Sequence, residues 1–187
     1  TGAYTQVGRG GRSLMVVLIT GRSGGVMATT IRGNSLYQVV NGPTWTQAET
    51  NSVNLGGHLT TINDASENGW LVRTFPNQPN WFVYWIGLND VNQEGQYEWS
   101  SGQTTTYSNW RQFSGPNRPP YDAATDPIDY GVLQPNDLNE SFAGQWSQLD
   151  NNYFITYPGV PGNGIAEIPL TLSITRSTTP KEGTGPF

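Results

Sequence analysis

The first half of the chain contains two stretches in which residues suited to burial recur every three or four positions, as on one face of a helix. In the first stretch, Thr44 with Gln47 three residues later forms a capping box, and Gly56 and Gly57 follow the end. This pattern predicts a helix between Thr44 and Gly56. The face predicted to be buried consists of Trp45, Ala48, Ser52 and Leu55.

The second stretch repeats the cap pattern with Asp64 and Glu67, and Pro76 stops it. Leu71 and Phe75 lie four residues apart and therefore share one face of the predicted helix. Short β-prone runs at Leu36–Val40 and Leu59–Ile62 precede the two helices. The first part of the body is therefore predicted to run strand, helix, strand, helix.

After Pro76 the helical spacing does not return, and β-prone runs alternate with loops. Helices first and strands afterwards predict an α+β fold with helices beside an antiparallel sheet, rather than a parallel βαβ sheet. The segment 111–128 holds four prolines and is predicted to be a long functional loop. The predicted strands are Phe82–Leu88, Gln96–Ser100, Tyr130–Leu133, Gly144–Leu149 and Gly164–Ile168.

Three regions follow from charge and composition. Residues 1–34 form a basic arm with four arginines and no acid, whereas the rest of the chain holds 14 acids and five bases. The runs Leu14–Thr20 and Val26–Ile31 predict a hairpin in this arm, which we expect to add strands to a sheet edge of its own body or of a neighbouring subunit. Residues 35–169 form the body, and 170–187 are predicted to be a strand followed by a linker-like tail.

The residue inventory excludes several classes of site. The chain of 187 residues has no cysteine and one histidine, His58, so disulfides, zinc–thiolate sites, iron–sulfur clusters, cysteine nucleophiles and multi-histidine metal sites are excluded. Seven Trp, nine Tyr and six Phe are enough for a real core. No apolar run approaches the length of a membrane-spanning helix, so no membrane insertion is expected. Only 12% of the residues are charged, which favours an extracellular or surface-exposed protein.

Candidate catalytic and nucleic-acid motifs are weak. Gly21–Gly25 matches a Gly-x-Ser-x-Gly elbow, but the acid and histidine that must follow are not suitably placed. Glu94 and Glu98 resemble the paired carboxylates of a glycosidase, yet Glu98 lies in a predicted strand. The Gly- and Arg-containing stretch of the arm lacks interleaved aromatic residues. We therefore expect neither an enzyme nor a nucleic-acid-binding protein, and we expect His58 to be a hydrogen-bonded edge residue.

An ordered string of residues in the centre of the body resembles a known family. The string consists of Trp85, Ile86, Gly87, Leu88, Asn89, Asp90, Glu94, Gly95, Tyr97, Glu98, Trp99, Ser100, Gly102, Asn109 and Trp110. Together with the two capped helices, Gly144–Trp146 and the closing strand, it resembles the C-type lectin-like domain over residues 35–169. The match is to the cysteine-free bacterial kind found in larger secreted, surface or phage proteins. This resemblance implies two helices flanking antiparallel sheets with long loops, and a core that contains Trp85, Trp99, Trp110 and Trp146.

The resemblance also implies where a ligand would bind. In this family a sugar is often held through calcium by a Glu-Pro-Asn triplet and a Trp-Asn-Asp triplet; here these are Gly115–Asn117 and Trp146–Gln148. The remaining side-chain oxygens are neutral, whereas calcium prefers several anionic ones, so we expect this calcium site to be absent unless Asp122 or Asp126 replaces a carboxylate. The predicted ligand-binding face consists of Asn117, Tyr121, Asp122, Asp126, Ser147 and Gln148.

A second, auxiliary calcium site of the family would correspond to Asp90, Glu94 and Asp129. Because Asp90 and Glu94 also cap turns in members that bind no calcium, both roles stay open. The functional hypothesis is a non-enzymatic module that recognises a glycan or a surface protein. The alternative is a structural or assembly module of a surface fibre or a virus (phage) particle, attached through the basic arm to neighbouring subunits. Either hypothesis places the protein on a cell surface, a filament or a virion, or otherwise outside the cell.

Overall fold

The computed structural model describes residues 29–75, 83–111, 128–135, 142–152 and 162–170, together with the backbone of two short strands near the N-terminus. Two helices and ten strands are found in these residues. In chain order they are β1 (Gln6–Val7), β2 (Leu14–Met15), β3 (Thr29–Arg32), β4 (Ser35–Asn41), α1 (Trp45–Asn54), β5 (His58–Leu59), α2 (Ala65–Thr74), β6 (Tyr84–Asn89), β7 (Glu98–Trp99), β8 (Tyr130–Leu133), β9 (Trp146–Leu149) and β10 (Asn163–Pro169).

Both helices begin at the predicted caps. The Thr44 side chain accepts a hydrogen bond from the Gln47 N–H at 3.0 Å, and the Asp64 side chain accepts one from the Glu67 N–H at 2.7 Å. Trp45, Ala48 and Ser52 are buried as predicted. The prediction for Leu55 was wrong, because this residue is the C-cap of α1 and 39% of its surface is exposed. The helical spacing ends one residue before it.

The main sheet follows the order β3-β4-β10-β6-β8-β9, with β5 also paired to β10 and β7 also paired to β6. All of these pairs are antiparallel except β10 with β6, which is parallel. The predicted α+β fold is confirmed, and the predicted antiparallel sheet is corrected at this one pair. Strand direction could not be read from residue patterns, because both directions place alternate side chains on opposite faces.

The last strand, β10, lies at the centre of the sheet. It pairs with β4 over its whole length, from Asn163 to Pro169. Its other edge is shared, because the first two residues pair with β6 while Ala166 and Glu167 pair with β5. The Thr60 N–H donates to Ile165 O at 2.8 Å, and the Gly87 N–H donates to Thr60 O at 3.0 Å. Thr60, the residue after β5, thus connects β10 to β6.

Two groups of buried side chains form the core. The α2 group contains Leu71, Phe75, Trp99, Trp110 and Trp146, and the α1 group contains Trp45, Ala48, Leu59, Trp85 and Tyr130. All four tryptophans that the resemblance assigned to the core are buried, with at most 7% of their surface exposed. The core prediction is therefore confirmed for these residues.

Three predicted strands are shorter in the structure. The strand predicted at Leu59–Ile62 is observed at His58–Leu59. The strand predicted at Gln96–Ser100 is observed at Glu98–Trp99, and the strand predicted at Gly144–Leu149 begins at Trp146. Thr60 and Thr61 are buried but lie outside the ladder. Burial and β-propensity therefore extend beyond the residues that pair.

The N-terminal prediction needs a correction. β2 pairs with β1, and Thr29–Arg32 pairs with β4, so the described parts of the two predicted hairpin strands pair elsewhere; residues 16–28 lie outside the described part. Gly33, with φ of 58°, and Asn34 form a two-residue turn between Arg32 and Ser35. A Gly-Asn pair between two β-prone runs is a hairpin signal that the charge-based boundary at 34/35 overlooked. The body sheet therefore starts at Thr29, whose strand is one edge of the sheet order.

The two described helices have ten residues each, and none of the helices in the described ranges is long and apolar enough to cross a membrane. Of the predicted strand and tail at 170–187, only Leu170 lies in the described residues. Leu170 exchanges two hydrogen bonds with Asn34. This exchange joins the end of β10 to the β3–β4 turn.

We expect Gly57→Ala to destabilise the domain through the junction of β5 and β10. A Cβ at Gly57 would lie 2.1 Å from Glu167 O and 2.8 Å from Ile168 Cα, and backbone atoms cannot yield as a flexible side chain can. The expected loss is about 1–3 kcal/mol of unfolding free energy, the usual size for overpacking. Urea unfolding measures it.

Gly69→Ala is the matched control. Gly69 lies inside α2, and an added Cβ would meet only the end of the Arg73 side chain, at 3.2 Å. Because alanine favours a helix interior more than glycine, this variant should be as stable as the wild type or up to about 1 kcal/mol more stable. Equal unfolding free energies for Gly57→Ala and Gly69→Ala would contradict the close approach of β5 and β10.

Tyr37 couples the sheet to α2 through two carboxylates. Its hydroxyl lies 2.7 Å from Glu67 Oε1 and 3.0 Å from Glu167 Oε1. Burial, then the hydrogen bond with Glu67 and the negative charge of Glu167, raise the pKa of Tyr37 above its ordinary value. The folded state therefore keeps a proton that the unfolded chain loses at about pH 10.

The stability contributed by Tyr37 should be complete below about pH 10 and should fall as the pH rises further, because the unfolded state then binds fewer protons. Between pH 10 and 11.5 we expect the unfolding free energy of the wild type to fall more steeply than that of Tyr37→Phe, by up to about 1.4 kcal/mol per pH unit. Urea unfolding at several pH values gives both slopes. Equal slopes would show that Tyr37 ionises alike in both states, whatever the absolute stability of the variant.

Candidate functional site

Strand β9 carries the two predicted ligand residues that the structure describes. Trp146 and Gln148 are buried, whereas Ser147 and Leu149 are half-buried, so the strand alternates between an inner and an outer face. On one side β9 pairs with β8, with Val132 opposite Ser147 and Gly131 opposite Gln148. Gly131 is packed closely, since a Cβ there would lie 2.9 Å from Leu88 Cβ. This packing holds β8 and β9 against the centre of the sheet.

The segment 109–111 lies along the other side of β9. The Trp146 N–H donates to Asn109 O at 2.8 Å and the Arg111 N–H donates to Trp146 O at 2.7 Å, in a parallel bridge between Trp110 and Trp146. The chain therefore leaves Arg111 in the direction of β9. It re-enters at 128–129 before β8, where Tyr130 pairs with Leu149 at the far end of β9. The described residues on either side of 112–127 thus lie beside β9 or pair with it through Tyr130.

The residues on either side of the next segment, 153–161, make hydrogen bonds near the start of α1. Just after β9, Asn151 Oδ1 accepts a hydrogen bond from the Thr46 N–H at 3.1 Å, in the first turn of α1. Where the chain returns, Gly162 O accepts one from the Gly42 N–H at 2.9 Å. Both hydrogen bonds lie near the start of α1, so the described residues before and after 153–161 are held there.

The structure describes only part of the predicted ligand-binding face. Asn117, Tyr121, Asp122 and Asp126 lie outside the described residues. Ser147 is half-buried, and Gln148 has only 7% of its surface exposed. The Tyr97 hydroxyl donates to Gln148 Oε1 at 2.8 Å. This amide oxygen, which the resemblance places where the family has a calcium ligand, thus accepts a hydrogen bond from within the domain.

Asp90 closes a turn between β6 and β7. Its Oδ2 accepts from the Gly95 N–H at 3.0 Å, its carbonyl oxygen accepts from the Gln93 N–H at 3.1 Å, and its own N–H donates to Asp129 O at 3.1 Å. Asp90 is 2% exposed, whereas Glu94 is exposed. These contacts support the turn role that the sequence left open.

No three acidic or histidine residues within the described ranges are arranged to hold a metal ion. Asp90, Glu94 and Asp129 are not part of such a group in the described residues, and their role as calcium ligands stays a prediction. No chemical step that depends on a bound calcium follows from it.

Trp146, the first residue of β9, is the centre of a group of aromatic side chains. Its ring lies edge-on to Trp99, Tyr107 and Trp110 at centroid distances of 5.6, 5.5 and 6.0 Å, and Tyr97 contacts Trp110 at 4.9 Å. Tyr107 is half-buried, and burial followed by the charge of Asp64 raises its pKa.

Sequence reasoning missed three residues at this site. Tyr97 was noted only as part of the family string, and Arg111 and Phe142 were not singled out. The Arg111 guanidinium lies 3.5 Å from the centroid of the Phe142 ring. This cation–π contact joins the residue before 112–127 to the first residue of 142–152. No local pattern could have indicated this pair, because 31 positions separate the two residues in the sequence.

The other polar candidates have structural partners. His58 Nδ1 lies 2.6 Å from Glu49 Oε1, and Glu49 Oε2 accepts from the Leu59 N–H at 2.8 Å. The expectation that His58 is a hydrogen-bonded edge residue is confirmed. Glu98 Oε1 accepts a hydrogen bond from the Asn92 amide beside β7.

Comparison with known proteins agrees with this fold. The family model described as "Lectin C-type domain" matches residues 41–127. A protein named "Lectin" from Pleurodeles waltl is 32% identical over 60% of this chain and 66% of its own length. Lectin BRA-3 from Megabalanus rosa is 32% identical over 63% of this chain and 62% of its own length. The chain thus spans slightly less than two thirds of each of these relatives.

Two solved structures share the fold. The carbohydrate-recognition domain of the mouse scavenger receptor C-type lectin superposes with a TM-score of 0.58 at 21% identity, over 79% of this chain and all of that domain. A calcium-independent type II antifreeze protein superposes with a TM-score of 0.56 at 19% identity, over 76% of this chain and 92% of that one. The body of this chain has the C-type lectin fold, and its sequence is similar to those of C-type lectins.

Proposed function

We propose that the domain is a non-enzymatic recognition module that binds a glycan through the face formed by β9 and the segments around 111–128 and 147–163. The observation that carries this proposal is the attachment of both long segments to β9 and its neighbouring helix end. Loops held on a rigid frame are where binding residues concentrate. The homology to C-type lectins supports carbohydrate as the ligand class, and a protein ligand is the alternative.

Glycan binding on this face does not require calcium. Asn117, Ser147 and Gln148 offer neutral oxygens, and the oxygen of Gln148 accepts from Tyr97. The type II antifreeze protein that shares the fold is itself calcium-independent, which supports a calcium-free mode for this scaffold. The proposed location is extracellular or on a surface, where the domain acts as part of a larger protein.

A glycan array probed in millimolar calcium and again in EDTA tests the proposal. We expect binding in both conditions, and we expect Ser147→Lys to weaken it at least tenfold, because a long cationic side chain would project from the outer face of β9. Thr29→Lys is the matched control, since it makes the same kind of change on β3, at the opposite edge of the sheet. Absence of glycan binding in both conditions, with a protein ligand found instead, would overturn the glycan proposal.

Calcium binding by Asp90, Glu94 and Asp129 stays a prediction from the family resemblance. If it is right, calcium at one hundred times its Kd should stabilise metal-stripped protein by about 2.7 kcal/mol and raise its melting temperature relative to EDTA. Glu94→Gln should abolish the increase while preserving the turn, because Asp90 provides the carboxylate that bonds to Gly95. An unchanged melting temperature in the wild type would retire the calcium site.

A second candidate function is assembly into a surface fibre or virus particle. The position of β3 favours it, because this strand is an edge of the sheet order and Ile31 on it is 48% exposed. Another subunit could pair with such an edge, and the four arginines of residues 1–33 would be attracted to an acidic body.

Size-exclusion chromatography of the full chain and of a variant that lacks residues 1–28 tests assembly. The deletion ends at residue 28 because Thr29–Arg32 is part of the body sheet. We expect the full chain to elute as an oligomer at low salt and the shortened chain as a monomer. Identical monomers in both cases would speak against an assembling arm.

A further inference from the structure

Asn68 is buried in the second turn of α2, with 5% of its surface exposed. It shares a face with Leu71 and Phe75, which pack in the core. An amide in such a place must find partners for both its oxygen and its nitrogen, because an unpaired polar group costs about 1–3 kcal/mol when buried. The partners that Asn68 finds both lie at the start of β9.

The two partners are chemically opposite. Asn68 Oδ1 accepts a hydrogen bond from the Trp146 indole N–H at 2.8 Å, and Asn68 Nδ2 donates to Gly144 O at 2.9 Å. The indole can only donate and the carbonyl can only accept, so these partners determine which way the amide points. Neither aspartate nor leucine could satisfy both.

Gly144 O receives a second hydrogen bond, from Asn109 Nδ2 at 2.8 Å. The backbone of Asn109 in turn accepts from the Trp146 N–H. Gly144 has φ of 80°, and a Cβ there would lie 2.9 Å from Asn68 Nδ2. Helix α2, the turn at Gly144 and the segment 109–111 therefore meet at a single carbonyl, and we call this group the Gly144 lock (Asn68, Asn109, Gly144 and Trp146).

The lock determines where β9 begins and how the Trp146 ring is rotated. Trp146 is the ring around which Trp99, Tyr107 and Trp110 pack. The next two residues of β9 are Ser147 and Gln148, and the second is held by Tyr97. Ser147 and Gln148 therefore follow, in the same strand, the residue that the lock holds.

We propose that Asn68 is a positioning residue for ligand binding: through the Gly144 lock it sets the register of β9 and thereby the place of Ser147 and Gln148. Asn68 does not itself belong to the outer face. This inference rests on the proposed function for its effect on binding, whereas the lock itself can be tested without any ligand.

The ligand-free test uses the Trp146 indole N–H. In protein with 15N-labelled tryptophan, we expect this N–H to exchange with solvent at least tenfold faster in Asn68→Leu than in the wild type, since the acceptor is removed. The β9 amides should exchange faster as well. Unchanged indole and β9 exchange would overturn the lock.

The binding test uses Asn68→Asp, which retains an acceptor for Trp146 but places a second oxygen against Gly144 O. On the same glycan array, we expect its apparent affinity to fall at least tenfold, at a temperature where the protein is fully folded. Gly57→Ala is the control for stability, because it loosens the β5–β10 junction without touching β9. Equal loss of binding in both variants would show that Asn68 acts only through stability.

The two tests keep the proposals separate. If the wild type binds no glycan, the proposed function fails while the exchange measurement still decides the lock. Should Asn68→Leu not fold, Trp146→Phe removes the donor side of the same bond and keeps an aromatic ring. Faster β9 exchange in Trp146→Phe would support the lock, and unchanged exchange would overturn it.

Discussion

The fold depends on the central strand β10, which brings together strands from the beginning and the middle of the domain. β10 pairs with β4 on one side and with β6 and β5 on the other, so segments from both ends of the domain meet along it. Close packing makes this possible at two glycines: a Cβ at Gly57 would lie 2.1 Å from the backbone Glu167 O, and a Cβ at Gly164 would lie 2.4 Å from the side-chain Leu59 Cδ2. Because these contacts span most of the sequence, neither half of the domain can complete its sheet alone.

This central strand lies between the two edges of the sheet for which functions are proposed. The order β3-β4-β10-β6-β8-β9 places the arm-derived strand at one edge and the proposed recognition strand at the other. A contact that assembles subunits through β3 would therefore leave the β9 face accessible. The recognition and assembly proposals are compatible for this reason, since they use opposite edges of one rigid sheet.

The buried polar residues act mainly as positioning groups. Asn68 orients Trp146, Tyr97 holds Gln148, and Asp90 closes its turn on Gly95. The first two are hydrogen bonds between two side chains, one of which belongs to β9, and the third joins a side chain to a backbone N–H in a turn. Without cysteine, the domain uses such bonds together with aromatic packing, rather than disulfides, to fasten its loops.

The sequence alone determined the features that depend on neighbouring residues. The caps at Thr44 and Asp64, the tryptophans of the core and the family string follow from short-range spacing and residue type. Only the tertiary structure decided the parallel β10–β6 pair, the edge strand at Thr29–Arg32 and the Gly144 lock. The β10–β6 pair and the Gly144 lock join positions that are far apart in the chain. The edge strand β3 differs, because the Gly-Asn turn that follows it is a hairpin signal in the sequence. A residue pattern records which side chains can be buried, but the partner of a buried strand or amide is selected by the packing of the whole domain.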